Sequence, residues 1–213
     1  MKMTGTELVA FCRSKLGTDY VYGMKGQIMT EPDYSYLKRQ YGKLVWYSDA
    51  EKIGKVCVDC SGLISWACGV QLGSGQWMAR AKAKNAMYPI STINDAPIGA
   101  LVWMPGHIGV YTGEKNGAPY YIAADGSAYG VREVPLRKNK FTHWLLVREI
   151  FEYEEDEEMV EKGAVIFKNG DKEETVTVEM IRKDGYTFLK TRELERLGLK
   201  VGSRGRIPVV ERG

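Results

Sequence analysis

"CVDCSGLISWACG", residues 57–69, holds three of the four cysteines in a chain of 213 residues. A zinc site, a redox pair and a single nucleophile would each require a different scaffold, so this stretch decides the fold. Cys57 and Cys60 form a CxxC that suits two of the four ligands of a tetrahedral zinc. Cys12 and Cys68 have no such partner and His107 stands alone, so the ligand arithmetic goes against zinc. A redox CxxC usually sits at a strand-to-helix junction of a thioredoxin-like unit, and no βαβ pattern precedes this one. The nucleophile reading is left. Cys60 stands immediately before a helix predicted over 61–69, where unpaired backbone N–H groups and the helix dipole stabilise a thiolate and lower its pKa. Ser61 and Gly62 are small, so a substrate carbonyl can approach the sulfur and N–H groups able to form an oxyanion hole. Cys68, within the apolar helix, and Cys12, on an apolar helical face, read as buried small hydrophobes. Cys57 has no assigned task.

A cysteine nucleophile needs a base, and the chain has two histidines. His107 opens a strand, "GHIGVY", with glycines nearby that leave the imidazole accessible, whereas His143 in "THWLL" is flanked by bulky residues. A lone histidine is more often structural. The pairing of a Cys-then-helix element with a Gly-His-strand element favours His107 as the base.

Working outward, "TGTELVAFCRSKLG" reads as a helix capped by Thr4 with Glu7 three residues on, and Leu8, Phe11, Cys12 and Leu16 share one face. "DYVYG" is a short turn or strand, and residues 31–55 have helical periodicity without clear caps. In the 61–69 helix, Leu63, Ala67 and Val70 are expected to point inward. Strands are predicted at "IGALVWM", at "HIGVYTG" and "YYIAADG" around the turn "EKNGAP", and at "FTHWLLVREI". Helices first and sheet later define an α+β pattern. Residues 152–158, "EYEEDEE", carry six acids and no base, and such a run resists packing. It is read as a linker between a domain at 1–151 and a smaller α+β domain at 159–213. In the latter, "KNGD" reads as a hairpin turn, "KDG" as another turn, "TRELERLGL" as a short helix and "RIPVV" as a strand. At roughly 50 residues that domain lies near the lower limit for folding alone, so docking or dimerisation is expected.

The composition, 44% hydrophobic and 27% charged, is that of a globular protein. No run of about 18 apolar residues is present, so no membrane span is expected, and "LVAF" is too short for a signal peptide's apolar region. The expectation is cytoplasmic synthesis with reduced thiols. Residues 1–151 hold 18 Lys+Arg against 12 Asp+Glu, a mild positive excess that would draw the domain to an anionic polymer. The basic residues are scattered and no nucleic-acid motif appears, so acidic wall polymers are the better match.

"TDYVYG", "DCSGLISW" and "GALVWMPGHIGVYTG" together resemble the NlpC family of papain-like bacterial cell-wall endopeptidases, over about 14–147. The resemblance implies an N-terminal helix, a nucleophile helix packed on an antiparallel sheet, and hydrolysis of peptide bonds in peptidoglycan stems without a metal or organic cofactor. It carries Cys60 to the nucleophile and His107 to the base. Tyr20, Asp59 and Ser61 match positions that in some members contact substrate or the stem's free amine. Two departures stand out. Residues 24–56 form a long aromatic-rich insert, either a wall of the cleft or a stabilising embellishment. The residue expected to orient the histidine matches Ala123, whose side chain accepts no hydrogen bond. A two-residue change of pairing, absorbed in "EKNGAP", would bring Asp125 opposite His107 instead; the alternatives are a water, a backbone carbonyl or no orienter. "DGYTFLKTRELERLGLKVG" resembles a small domain first named from the N-terminus of copper amine oxidases, which implies wall binding or a homodimer. The resulting expectation is a peptidoglycan endopeptidase, a phage or prophage lysin that acts on the wall after release or from the virion. The competing reading is a catalytically silent wall-binding or virion structural protein. An acyltransferase on the same scaffold is disfavoured by the order of Cys before His.

Overall fold

Thr4 accepts a hydrogen bond from the Glu7 backbone while the Glu7 carboxylate takes the Thr4 N–H, a capping box that starts the first helix. The computed structural model describes residues 2–137, 140–153, 160–169, 172–183, 186–189, 195, 198–204 and 207–212. The chain divides into two compact units, Met1–Glu154 and Glu155–Gly213. The architecture is mixed α+β.

The first unit runs β1 (Met3–Thr4), α1 (Gly5–Ser14), β2 (Asp19–Tyr20), β3 (Lys25–Ile28), α2 (Glu31–Tyr41), β4 (Val56–Val58), α3 (Cys60–Cys68) and α4 (Ser74–Ala83). It continues through β5 (Met87–Pro89), β6 (Leu101–Met104), β7 (His107–Lys115), β8 (Ala118–Ala124), β9 (Val131–Pro135), β10 (His143–Leu145) and β11 (Phe151–Glu152). Six strands form one sheet in the order β5-β10-β6-β7-β8-β9. A small second sheet, β2-β4-β3, leads directly into α3, and β1 pairs with β11. The main core gathers Leu8 and Cys12 of α1, Leu63 and Ile64 of α3, and Leu101, Ile108 and Ile122 of the large sheet. No helix among the described residues is long and apolar enough to cross a membrane.

Several local expectations are corrected. Leu16 lies beyond the end of α1 and is 47% exposed. Leu63 is buried and Ala67 and Val70 pack partly buried against the core as expected, joined by the fully buried Ile64, whereas Cys68 is only half-buried. The stretch 141–150 contains only the three-residue β10; the Leu146 N–H donates to the Ala86 carbonyl, in register with the pairing of Leu145 and Met87. The turn between β7 and β8 is tighter than "EKNGAP" suggested. Lys115 pairs with Ala118, and Asn116 and Gly117, at φ 52° and 74°, fill a two-residue hairpin turn.

The insert is a folded lobe. Thr30 and Asp33 form a capping box that starts α2, and two 3-10 turns follow at Gly42–Leu44 and Tyr47–Lys52. Met24, Met29, Leu37, Val45 and Cys57 form a small core of their own with Val21. A buried ion pair fastens it down: Lys52 Nζ donates to Asp49 Oδ1 at 2.6 Å and to the carbonyls of Tyr20 and Ser127 at 2.8 and 2.9 Å. Ser127 Oγ and the Trp46 N–H satisfy Asp49 Oδ2. Removing one partner leaves a buried charge uncompensated. Asp49→Ala is therefore expected to lower unfolding stability by about 3–5 kcal/mol in urea titration. A loss below about 1 kcal/mol would mean the pair does not hold the lobe.

In the second unit, β12 (Val160–Asn169), β13 (Lys172–Lys183) and β14 (Tyr186–Leu189) form an antiparallel sheet, and β15 (Leu199–Arg204) pairs with β16 (Ile207–Arg212). Asn169 faces Lys172 across the hairpin at "KNGD", and Lys183 faces Tyr186 across "KDG". Most of the helix expected at "TRELERLGL" and of the acidic run lies outside the described residues.

Candidate active site

Asp59 has extended backbone, φ −95° and ψ 176°, and its Oδ1 accepts the Gly62 N–H at 2.5 Å, so it is the N-cap of α3. That cap fixes Cys60 as the first helical residue. The remaining oxygen, Oδ2, accepts the Gly23 N–H, and the Asp59 N–H donates to the Met24 carbonyl at 2.8 Å, so the N-terminus of α3 is laced to the segment before β3. A Cβ on Gly62 would lie 2.3 Å from that same carbonyl, which is why glycine follows Ser61.

The Cys60 thiol is buried, 6% exposed, and receives hydrogen bonds from the backbone N–H groups of Ile108 and Ser61. Ile108 directly follows His107, so the sulfur sits against the start of the strand that carries the histidine. Burial is the largest influence on its acidity, followed by the nearby Asp59 carboxylate. Together they push the thiol up to about 11, outweighing the two N–H groups and the Lys25 ammonium. This corrects the expectation that the N–H groups and dipole at the helix start lower its pKa. Alkylation of Cys60 by iodoacetamide is accordingly expected to accelerate about tenfold per pH unit from pH 7 to 10. A plateau reached below pH 8, read by mass spectrometry of the labelled peptide, would show a thiolate at rest.

His107 is the residue after a two-residue turn of Pro105 and Gly106, the latter at φ 82°, with Met104 opposite it on β6. Its ring stacks on Phe141, 5.8 Å between centroids and 24° between planes. Nε2 is shut off from solvent and lies 3.1 Å from Asp125 Oδ1, an ion-pair contact off the ideal hydrogen-bond direction. That leaves Nδ1 as the nitrogen for proton exchange.

Asp125 meets His107 through register. Near the turn, Gly113 pairs with Tyr120; after a bulge at Thr112, with Gly113 at φ 94°, Tyr111 pairs with Tyr121 and Val110 with Ile122. Continued along the strands, that pairing sets Gly109 opposite Ala123 and His107 opposite Asp125. The Cβ position on Gly109 lies 3.2 Å from the Ala123 Cβ, in agreement. Without the extra residue His107 would face Gly126, and Asp125 would point to the other side of the sheet. A one-residue bulge within β7, not a two-residue shift in the turn, therefore sets Asp125 and not Gly126 opposite His107, while Ala123 faces Gly109.

Arg132 Nε donates to Asp125 Oδ2 at 2.7 Å, and Lys140 Nζ donates to Oδ1 at 2.6 Å and to the Tyr121 hydroxyl at 3.0 Å. Burial would raise the Asp125 carboxyl, but the close His107 ring and the hydrogen bonds from Lys140 and Arg132 hold it well below the usual carboxylate range. On β9, Glu133 follows the same pattern: burial opposes ionisation, yet Arg13 and Lys115 hold it down at about 2. Its folded pKa is depressed, so its contribution to stability is present above the unfolded value of 4.5 and is lost as pH falls toward 2. The melting temperature is expected to fall across that window, and less steeply in Glu133→Gln, as followed by circular dichroism.

Tyr20 lies beside this centre. Burial, then the neighbouring Cys60 and Asp59, push its hydroxyl well above the ordinary tyrosine range. Ser61 Oγ donates to Asp59 Oδ1 at 2.9 Å. His143 stands apart on β10, with β6 between it and β7, its Nδ1 3.0 Å from Thr142 Oγ1. All four cysteines are free thiols; Cys57 is buried in the lobe's core, with its sulfur toward the Lys52 and Lys55 carbonyls. Among the described residues no three of His, Cys, Asp and Glu gather as a metal site would require. Sequence reasoning missed Lys25, Arg132, Lys140 and the Asp49–Lys52 pair, whose partners are all set by tertiary packing or a neighbouring turn. No family model matches the chain, and no match to a curated protein is found.

Proposed function

We propose that the first unit is a cysteine endopeptidase of the papain-like NlpC type that hydrolyses peptide bonds in peptidoglycan stems. The contact of His107 Nε2 with Asp125 Oδ1 at 3.1 Å carries this reading, because it supplies the orienting group that Ala123 lacks, next to a strand that reaches Cys60. A helix bearing the nucleophile at its first residue, packed on an antiparallel sheet bearing the base, agrees with it.

In this mechanism Cys60 rests as the thiol. As the sulfur attacks the stem carbonyl, its proton passes to His107 Nδ1, and Asp125 steadies the imidazolium through Nε2. Backbone N–H groups at the start of α3 hold the oxyanion. His107 then gives the proton to the leaving amine as the C–N bond breaks. Water, deprotonated by the same nitrogen, cleaves the thioester and restores the thiol. The second unit is assigned wall attachment or dimerisation.

The alternative, a silent wall-binding or virion protein, drew its support from Ala123 and loses it to Asp125. Incubating the protein and Cys60→Ala with peptidoglycan from several bacteria, with released amines read by mass spectrometry, separates the two readings. New amines from the unsubstituted protein alone support the peptidase; silence from both proteins, each shown to be folded, supports the binding protein.

A further inference from the structure

Lys25, at the start of β3, places its ammonium at the N-terminus of α3. Nζ lies 3.0 Å from both Asp59 oxygens and 3.1 Å from Ser61 Oγ, so all three of its protons are engaged. The side chain is 23% exposed and that of Asp59 is 7% exposed, so the carboxylate is covered while part of Lys25 reaches solvent. Its charge is felt at Cys60, the residue between its two partners. Asp59 already accepts the N–H groups of Gly23 and Gly62 and the Ser61 hydroxyl. The carboxylate beside the nucleophile is thus neutralised and fully hydrogen-bonded from within the chain. An incoming ammonium would find no acceptor there and would meet a like charge.

We infer that Lys25 is a built-in ammonium that fills the anionic corner at Asp59 and Ser61 and selects peptides whose amino end is acylated over peptides with a free amine. This rests on the peptidase reading of the same site. It would direct the enzyme to stems still joined through an amide to the rest of the wall, and away from released stem fragments. The resemblance that matched Asp59 and Ser61 to contacts with a free amine therefore does not carry over to their use here.

The test compares a stem tetrapeptide bearing a free α-amine with its N-acetyl form. Two readouts are taken: cleavage by the intact chain, and binding to Cys60→Ala by calorimetry. The acetylated peptide is expected to be favoured about tenfold or more in both. In Lys25→Met, which leaves Asp59 its cap but frees its charge, the preference is expected to shrink about tenfold or reverse; near-UV circular dichroism checks that this variant is folded. Equal treatment of the two peptides, preference for the free amine, or an unchanged ratio in Lys25→Met overturns the inference while leaving the peptidase intact. Preferential binding of the acetylated form without cleavage keeps Lys25 as the selector and removes the peptidase reading. Absence of both binding and cleavage removes both.

Discussion

Cys60→Ala is expected to lower the rate of stem-peptide hydrolysis by about 10⁴-fold or more, because in the proposed mechanism its sulfur forms the covalent bond. His107→Ala should cost nearly as much, and the double variant little beyond either single one, since the two act as a unit. The fold should survive: Cys60 contributes one buried sulfur, and its loss is expected to change stability by no more than about 1–2 kcal/mol. Steady-state cleavage of a defined stem peptide, with urea titration of each variant, checks both statements. Residual activity in Cys60→Ala within tenfold of the unsubstituted protein would assign the chemistry elsewhere.

The second large effect is expected at Asp125. Asp125→Ala removes the group that orients His107 and should reduce kcat by roughly 10²–10⁴-fold. It also leaves Lys140 and Arg132 without their carboxylate. These two side chains are 35% and 37% exposed, so they can turn toward water, and the stability loss should stay near 1–3 kcal/mol. Asp125→Asn is more informative. The amide keeps the shape, but two cations then remain close to the imidazolium that catalysis must form, which disfavours it. Adding Lys140→Met to Asp125→Asn is therefore expected to recover about tenfold in kcat, because one of the opposing charges is gone. Asp125→Ala with kcat within threefold of normal would show that His107 is held by its stacking on Phe141 and by the turn before it, and not by the carboxylate.

The environment of Asp125 also separates what was legible in the chain from what was not. Thr4 with Glu7 is read directly from its spacing; Asp59 with Gly62 and Asn116 with Gly117 are equally local, though the helix was expected to start one residue later and the turn to be longer. The capping box at Thr30 and Asp33 has the same local character, though the helix it opens was expected without caps. By contrast, β10 pairs over only three residues with β5 and with β6, an extent set by those two partner strands, which no local pattern records.

The sequence by itself determined the chemistry on offer: a cysteine immediately before a helix, a histidine opening a strand, and an α+β order of elements. These follow from local preferences for caps, turns and alternating burial. Only the tertiary structure decided how that chemistry is set. The bulge at Thr112 set Asp125 instead of Gly126 opposite His107, because strand register is a property of two segments and one extra residue reverses every side chain beyond it. Burial chose a neutral thiol over a thiolate, because desolvation depends on what the rest of the chain packs around Cys60. Lys25, distant in sequence from Asp59, took the acceptor beside the nucleophile, because the β2-β4-β3 sheet brings the two together and an unpaired carboxylate in that confined corner is costly.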